Sequence, residues 1–177
     1  MDDPTETHNI TSIVQDNPDL KLYALDFDCT ISTMSKAERL RHPDLKDRSS
    51  YVSAEVVEVL LWIHSLGKHL AIVSYADRDV IIKTLRSAGI TENIIPARNI
   101  ITLDNFISPA LIPLSHDEGH LLVPKSRMLD KLALRLRLSR SRVALVDDSK
   151  ENIDEAYDTG YSVLQIAGRE LCRSSSQ

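Results

Sequence analysis

The stretch "LYALDFDCTI" (residues 22–31) carries two aspartates, Asp26 and Asp28, at the end of an apolar run. Like charges two residues apart repel, and a buried strand gains nothing from either. The pair calls for a cation or an electrophile beside it. A second acidic pair, Asp147 and Asp148, ends the run "RVALVDD" (142–148), and "HLAIVSY" (69–75) ends in Ser74 and Tyr75. Four carboxylates gathered at one edge cannot all stay ionised without a cation, since each raises the pKa of the others. Hard oxygen ligands favour Mg2+, which binds a few carboxylates and keeps positions for water and phosphate. A carboxylate beside such an ion can attack phosphorus, because the ion screens the repulsion between two anions. A second carboxylate can protonate the leaving oxygen and later deprotonate water. A lysine and a hydroxyl can hold the phosphoryl oxygens as charge spreads over them.

Such a cluster exists only if the chain brings distant segments to one place. "KLYALDF" (21–27), "HLAIVSY", "NIITL" (99–103), "RVALVDD" and "YSVLQI" (161–166) read as strands. Helices read between them. "SAEVVEVLLWIHSLG" has Ser53 as cap, Val56, Val59, Leu60 and Ile63 on one face, and Gly67 at its end. "DRDVIIKTLRSAG" has Asp77 as cap and Gly89 at its end. "PKSRMLDKLALRLRL" opens with Pro124, and "SKENIDEAYDTG" closes with Gly160. Strands alternating with amphipathic helices predict an α/β fold with a parallel sheet flanked by helices. Open parallel sheets bind ligands at the carboxyl ends of their strands, near a topological switch point. That edge is where Asp26, Asp28, Ser74, Asp147 and Asp148 fall.

At 177 residues the chain reads as one domain, 21–170, behind a flexible leader, 1–20, with a frayed tail, 171–177. Hydrophobic residues at 42% and charged residues at 27% suit a globular protein. A net charge of -5 argues against non-specific nucleic-acid binding. Cys29 and Cys172 are far apart and in no paired motif, which predicts a reducing compartment. The acidic start "MDDPTETHNI" has no signal-peptide pattern, and no run reaches the ~20 apolar residues of a membrane span. A cytoplasmic location is the expectation, and the glycosylation pattern at Asn9 reads as accidental. There is no internal repeat, no GxGxxG, no Walker A loop, no HExxH and no CxxC.

"DFDCT", "AIVSY", the "PK" opening a helix and "ALVDDSKEN", in that order, resemble the four motifs of the haloacid dehalogenase (HAD) phosphatase superfamily. The resemblance runs from Lys21 to Ile166. It implies a HAD-like Rossmannoid fold and phosphate-ester hydrolysis through an aspartyl-phosphate. By the resemblance Asp26 is the nucleophile, and Asp28 is the general acid/base whose backbone carbonyl also binds Mg2+. Thr30 shapes the loop. Ser74, with Tyr75 beside it, meets the phosphoryl group, and Lys125 neutralises nucleophile and phosphate. Asp148 is expected to ligate Mg2+ directly, and Asp147 directly or through water. Residues 31–50 are too short for a cap domain, and 76–124 is spent largely on a helix and a strand. The chain is therefore similar to the capless members, the magnesium-dependent phosphatases in particular.

The first expected substrate is a phosphoprotein, with phosphotyrosine in front; small sugar phosphates or nucleic-acid ends are the enzymatic alternatives. A receiver-type signalling domain uses similar residues, but it opens with its acidic pair and ends with its lysine. A phosphate-binding pseudoenzyme is the other non-catalytic alternative. Cys29 reads as a packed small residue. "HDEGH" (116–120) reads as an exposed loop, since Gly119 opposes the helical turn that would align its histidines. Lys36, Arg39, Arg41, His116 and His120 are expected to overhang the site. Arg127, Lys131 and Arg135 form a basic stripe opposite Leu129, Leu132 and Leu136. A solvated face is its default reading, with an acidic partner or a phosphorylated macromolecule as the other.

Overall fold

The computed structural model describes residues 10–35, 38, 51–108 and 123–166. The run "LYAL" forms strand β1 (Leu22–Leu25), all four side chains buried. Successive side chains of a strand point to opposite faces. Tyr23 and Leu25 thus enter one core, and Leu22 and Ala24 enter the other. β2 (His69–Val73) lies on one side of β1, and β3 (Ile100–Ile101) lies beyond it. β4 (Val143–Asp147) lies on the other side of β1, with β5 (Ser162–Gln165) at that margin. The order is β3-β2-β1-β4-β5, and every pairing is parallel. The chain moves outward from β1 through β2 to β3, then crosses back to β4. The strand order reverses between β1 and β4, which makes their carboxyl ends the switch point.

Five helices with described ends cover the two faces. α1 (Ile10–Asp16), α2 (Ala54–Ser65) and α3 (Arg78–Ser87) bury Ile10, Val14, Val56, Leu60, Ile63, Ile81 and Leu85 against Tyr23, Leu25 and Ile72. α4 (Lys125–Leu136) and α5 (Lys150–Asp158) bury Met128, Leu129, Leu132, Ile153 and Ala156 against Leu22, Ala24, Val73 and Leu145. This is the expected α/β architecture. Ser53 caps α2 by accepting from the Val56 amide at 3.2 Å. Among the described residues no helix is long and apolar enough to cross a membrane.

Three expectations change. The leader read through residue 20 is corrected over residues 10–20. Ile10, Ile13 and Val14 sit at helical spacing and turn one short apolar face into the core, and Lys68 Nζ donates to the carbonyls of Pro18 (2.6 Å) and Leu20 (2.7 Å). The strand read over 99–103 shrinks to Ile100–Ile101, because short 3-10 turns at Ala97–Asn99 and Leu103–Asn105 bound it. Asp77 occupies the N-cap of α3, but its side chain makes no capping bond. Most of the 31–50 segment lies outside the described residues. So do residues 109–122, including His116 and His120, and the tail at 171–177.

Candidate active site

Register decides what meets at the carboxyl edge. Leu25 is level with Ile72 of β2 and Val146 of β4. Asp26, Val73 and Asp147 follow at the same level. The Asp26 amide donates to the Val146 carbonyl at 2.8 Å, which carries the ladder one step past the end of β1. The chain then turns sharply. The amides of Ile31 and Ser32 both donate to the Phe27 carbonyl (3.1 and 2.8 Å), Asp28 bridges to Ser32, and Cys29 takes a left-handed backbone conformation (φ 57°). Asp26 ends buried and Asp28 half-buried. Thr30 is buried inside the turn, its hydroxyl without a hydrogen-bond partner among the described residues.

Lys125, the first residue of α4, has a side chain fully removed from solvent. Its Nζ donates to Asp26 Oδ1 at 2.7 Å and to the Val73 carbonyl, and it stands 3.3 Å from Asp147 Oδ2. One ammonium thus joins the ends of three adjacent strands. Tyr75 supports it: its ring centroid lies 4.9 Å from Nζ, and its hydroxyl donates to the Val123 carbonyl at 3.0 Å, just before α4 begins. Tyr75 thus touches both the lysine and the chain entering its helix. Ser74 is buried. Its hydroxyl oxygen accepts from the Ala76 amide at 3.1 Å, and a hydroxyl in that role keeps its own proton to donate.

Asp147 is held from its other side. It accepts from the Ser149 amide at 2.9 Å, and Asn152 Nδ2 donates to both of its carboxylate oxygens, 3.2 Å to Oδ1 and 3.1 Å to Oδ2. Ser149 caps α5 through the Asn152 amide, so the cap that starts the helix also sets the residue that grips the aspartate. Asn152 and the Val73 carbonyl are site members that sequence reasoning missed. The signal for Asn152 was present in "DDSKEN": a polar side chain one turn into a serine-capped helix faces back over the N-terminus. A backbone carbonyl has no signal in the sequence.

The electrostatics follow from burial. Removal from water pushes the Asp26 carboxyl up to about 6, against the opposing pull of the Lys125 charge, and the Asp147 carboxylate adds to the rise. Burial raises Asp148 too, with Asp147 as the second cause. Burial alone would pull the Lys125 ammonium down, but the carboxylates of Asp26 and Asp147 outweigh it and hold the group above its ordinary value. Burial pushes the Tyr75 phenol up to about 12. Asp26, Asp147 and Asp148 each offer an oxygen, and the three lie within 4.8 Å of one another. One ammonium against three carboxylates leaves an excess of negative charge in a dry corner. All-oxygen donors at this spacing suit a hard dication such as Mg2+.

No protein-family model and no curated protein matches the sequence. Solved structures do match. The HAD domain of the effector protein Lem4 from Legionella pneumophila superposes with a TM-score of 0.56 at 17% identity, covering 85% of this chain and 88% of that one. DsGPDH of Dunaliella salina gives a TM-score of 0.59 at 13% identity over 89% of this chain, which spans only 25% of that larger protein. The N-terminal part of a Bacteroides fragilis protein, containing a phosphatase domain and complexed with Mg, gives 0.54 at 13% identity, covering 87% of this chain and 38% of that one. The sheet order, the flanking helices and these superpositions define the fold as that of the haloacid dehalogenase superfamily.

Proposed function

We propose that this chain is a capless, Mg2+-dependent phosphatase that hydrolyses phosphate monoesters through an aspartyl-phosphate on Asp26, with a phosphoprotein as substrate. The observation that carries the reading is the joint placement of Asp26, Lys125, Asp147 and Asp148 at the switch point of the sheet. Asp26 and Asp148, with the Asp28 carbonyl, would hold Mg2+, and Asp147 would do so directly or through water. Bound there, the ion supplies charge that screens the approach of a carboxylate to a phosphoryl dianion.

The chain's own residues do the rest. Asp26 Oδ forms a bond to phosphorus as the ester P–O bond breaks, and Asp28 gives its proton to the departing oxygen. Water then attacks the same phosphorus, Asp28 takes a proton from it, and the acyl-phosphate bond breaks to free Asp26. Lys125 holds Asp26 in place and carries positive charge toward the phosphoryl oxygens, and the Ser74 hydroxyl donates to one of them. The low solvent exposure of Asp26 keeps water from competing in the first step. We place the reaction in the cytoplasm, a reading supported by two cysteines, Cys29 and Cys172, that lie far apart in the sequence and in no paired motif.

The test is direct trapping. Wild-type protein turning over p-nitrophenyl phosphate with Mg2+ is quenched with borohydride, which reduces an acyl-phosphate to the alcohol. Homoserine at position 26 is expected by mass spectrometry, and EDTA should abolish both hydrolysis and trapping. Absence of hydrolysis for phosphotyrosyl peptides, sugar phosphates and p-nitrophenyl phosphate alike would overturn the reading.

A further inference from the structure

The first residue of α4 belongs to the site, and the outer face of the same helix is cationic. Residues 125–142 hold Lys125, Arg127, Lys131, Arg135, Arg137, Arg140 and Arg142 against a single acid, Asp130, in a protein of net charge -5. Asp130 is itself occupied: Arg140 pairs with it at 2.9 Å, and the Tyr161 hydroxyl donates to it at 2.5 Å. Arg127, Lys131, Leu134 and Arg135 recur at i, i+4, i+7 and i+8, the spacing of one helical face. Arg127 and Arg135 are exposed, and Leu134 is 82% exposed between them, the most exposed of the large apolar side chains described. Lys131 borders this face, with its ammonium 5.0 Å from the Phe106 ring. Leu134 thus offers a bare apolar side chain flanked by cations.

A second observation comes from the end of α4. α2, α3 and α5 are each followed by a glycine in the left-handed conformation, Gly67 (φ 71°), Gly89 (φ 83°) and Gly160 (φ 92°). α4 is ended by Arg137 in that conformation (φ 55°). Glycine carries no Cβ penalty there, whereas arginine does. The chain accepts strain to keep an arginine at the foot of the same helix.

We infer that the outer face of α4 (Arg127, Leu134 and Arg135, with Arg137 at its end) is a docking track for an acidic segment of the protein substrate that carries an apolar side chain for Leu134. This rests on the phosphatase reading and deepens it by naming the substrate class. The charges select an acidic chain. Leu134 favours a peptide over a nucleic acid or a lipid headgroup, because an aliphatic knob between cations meets a side chain and not a phosphate backbone. The track starts two residues after Lys125, so a segment lying along it stays tethered to a phosphoryl group at Asp26. Remote contacts of this kind help only substrates long enough to reach them.

The test uses the full chain and two phosphotyrosyl peptides of equal length. One carries four glutamates and a leucine beyond the phosphotyrosine, and the other carries lysines in place of the glutamates. Wild-type protein should prefer the acidic peptide at least tenfold in kcat/KM, mainly through KM, and the preference should fade in high salt. The variant Arg127→Glu/Arg135→Glu should lose the preference while hydrolysing p-nitrophenyl phosphate at the wild-type rate. Leu134→Ser should lose part of it. Arg137→Gly should raise the melting temperature yet weaken the acidic peptide, a combination that loss of structure cannot produce. Fluorescence anisotropy with the unphosphorylated acidic peptide reads the track even if no ester is hydrolysed, so failure of the phosphatase reading and failure of the track remain distinct. Equal handling of both peptides by wild type would overturn the inference. So would an unchanged preference in the double variant, or variants that weaken only a single-stranded RNA or an anionic phosphatidylserine vesicle.

Discussion

The acidic pairs at the carboxyl ends of β1 and β4 stand side by side, and each combines one buried carboxylate with one half-buried partner. Their surroundings differ. Asp147 is gripped by Lys125, by the Ser149 amide and by the Asn152 side-chain nitrogen, which donates to both of its oxygens. Asp26 has the same lysine and a bond from the Phe27 backbone, with no Asn152 of its own, and burial lifts its carboxyl to about 6. A carboxylate saturated with donors is fixed and a poor nucleophile. One with few donors keeps lone pairs for another partner. On the proposed mechanism, two aspartates that look alike in sequence take unequal parts: Asp147 as a fixed wall, Asp26 as the group with reactivity to spare.

The sharpest way to break this contrast is to neutralise each aspartate in turn. Asp26→Asn removes the attacking oxygen while nearly preserving shape, and turnover should fall on the order of 10⁴-fold or more, as losses of a covalent nucleophile do. The fold should persist, judged by far-ultraviolet circular dichroism. Asp147→Asn should instead raise the Mg2+ concentration needed for half-maximal rate and lower the melting temperature. Equal behaviour of the two variants would remove the distinction.

Within the first pair, Asp28 should separate from Asp26 by leaving-group chemistry. Asp28→Asn is expected to cost about 10²–10⁴-fold on alkyl phosphates, the range of a lost general acid. The loss should shrink for p-nitrophenyl phosphate, whose leaving group needs little protonation. A uniform loss across leaving groups would argue that Asp28 has another role.

Lys125 is shared by both pairs, so it tests what they have in common. Lys125→Met leaves two buried carboxylates facing each other, and breaking a buried charge set in this way costs about 3–5 kcal/mol of stability. Urea unfolding in metal-free buffer measures it. The pH dependence carries a sign. The folded-state value of Asp26, about 6, lies above the ordinary 3.8. Between those values the folded state holds more protons than the unfolded one, so stability is fully present below about 4 and falls as pH rises through about 6. Metal-free wild type should lose stability across that window relative to Asp26→Asn. A gain with rising pH would contradict the buried placement of Asp26.

Much of this was legible in the sequence because strands and helices announce themselves by period, and because chemistry-bearing residues sit where the periods end. "LYAL", "HLAIV" and "VALVD" were visible as buried strands, and the polar residues closing them mark the carboxyl edge. Ser53 announced a helix start, as serine does before an apolar period. What escaped has physical reasons. α1 is seven residues long, too short for its apolar face to stand out from a polar leader. The contact between Lys125 and the Val73 carbonyl depends on three-dimensional placement and on a group every residue carries. The bond from the Tyr75 hydroxyl to the Val123 carbonyl escaped for the same reason, since its acceptor is a backbone group.

The smallest expected effect tests the most specific part of the contrast, the amide group that Asp147 has and Asp26 lacks. Asn152→Ala removes two hydrogen bonds from a fully buried carboxylate but leaves it Lys125 and the Ser149 amide. A buried acceptor that loses one partner costs about 1–3 kcal/mol, and the remaining donors should keep the loss near the lower end. The backbone cap of α5 is untouched, because Ser149 bonds the Asn152 amide nitrogen and not its side chain. The helix should therefore persist, and the loss should appear as a lower urea midpoint with an unchanged slope. With Asp147 freer to turn, the Mg2+ requirement should rise modestly while the rate at saturating Mg2+ stays within tenfold of wild type. Asn152→Asp is the harsher control: it sets a second negative charge against Asp147, and should cost more than alanine in metal-free buffer and recover in part when Mg2+ is added. If alanine at 152 leaves both the urea midpoint and the Mg2+ requirement unchanged, Asn152 does not hold Asp147 in place, and the difference between the two aspartates must be sought in burial alone.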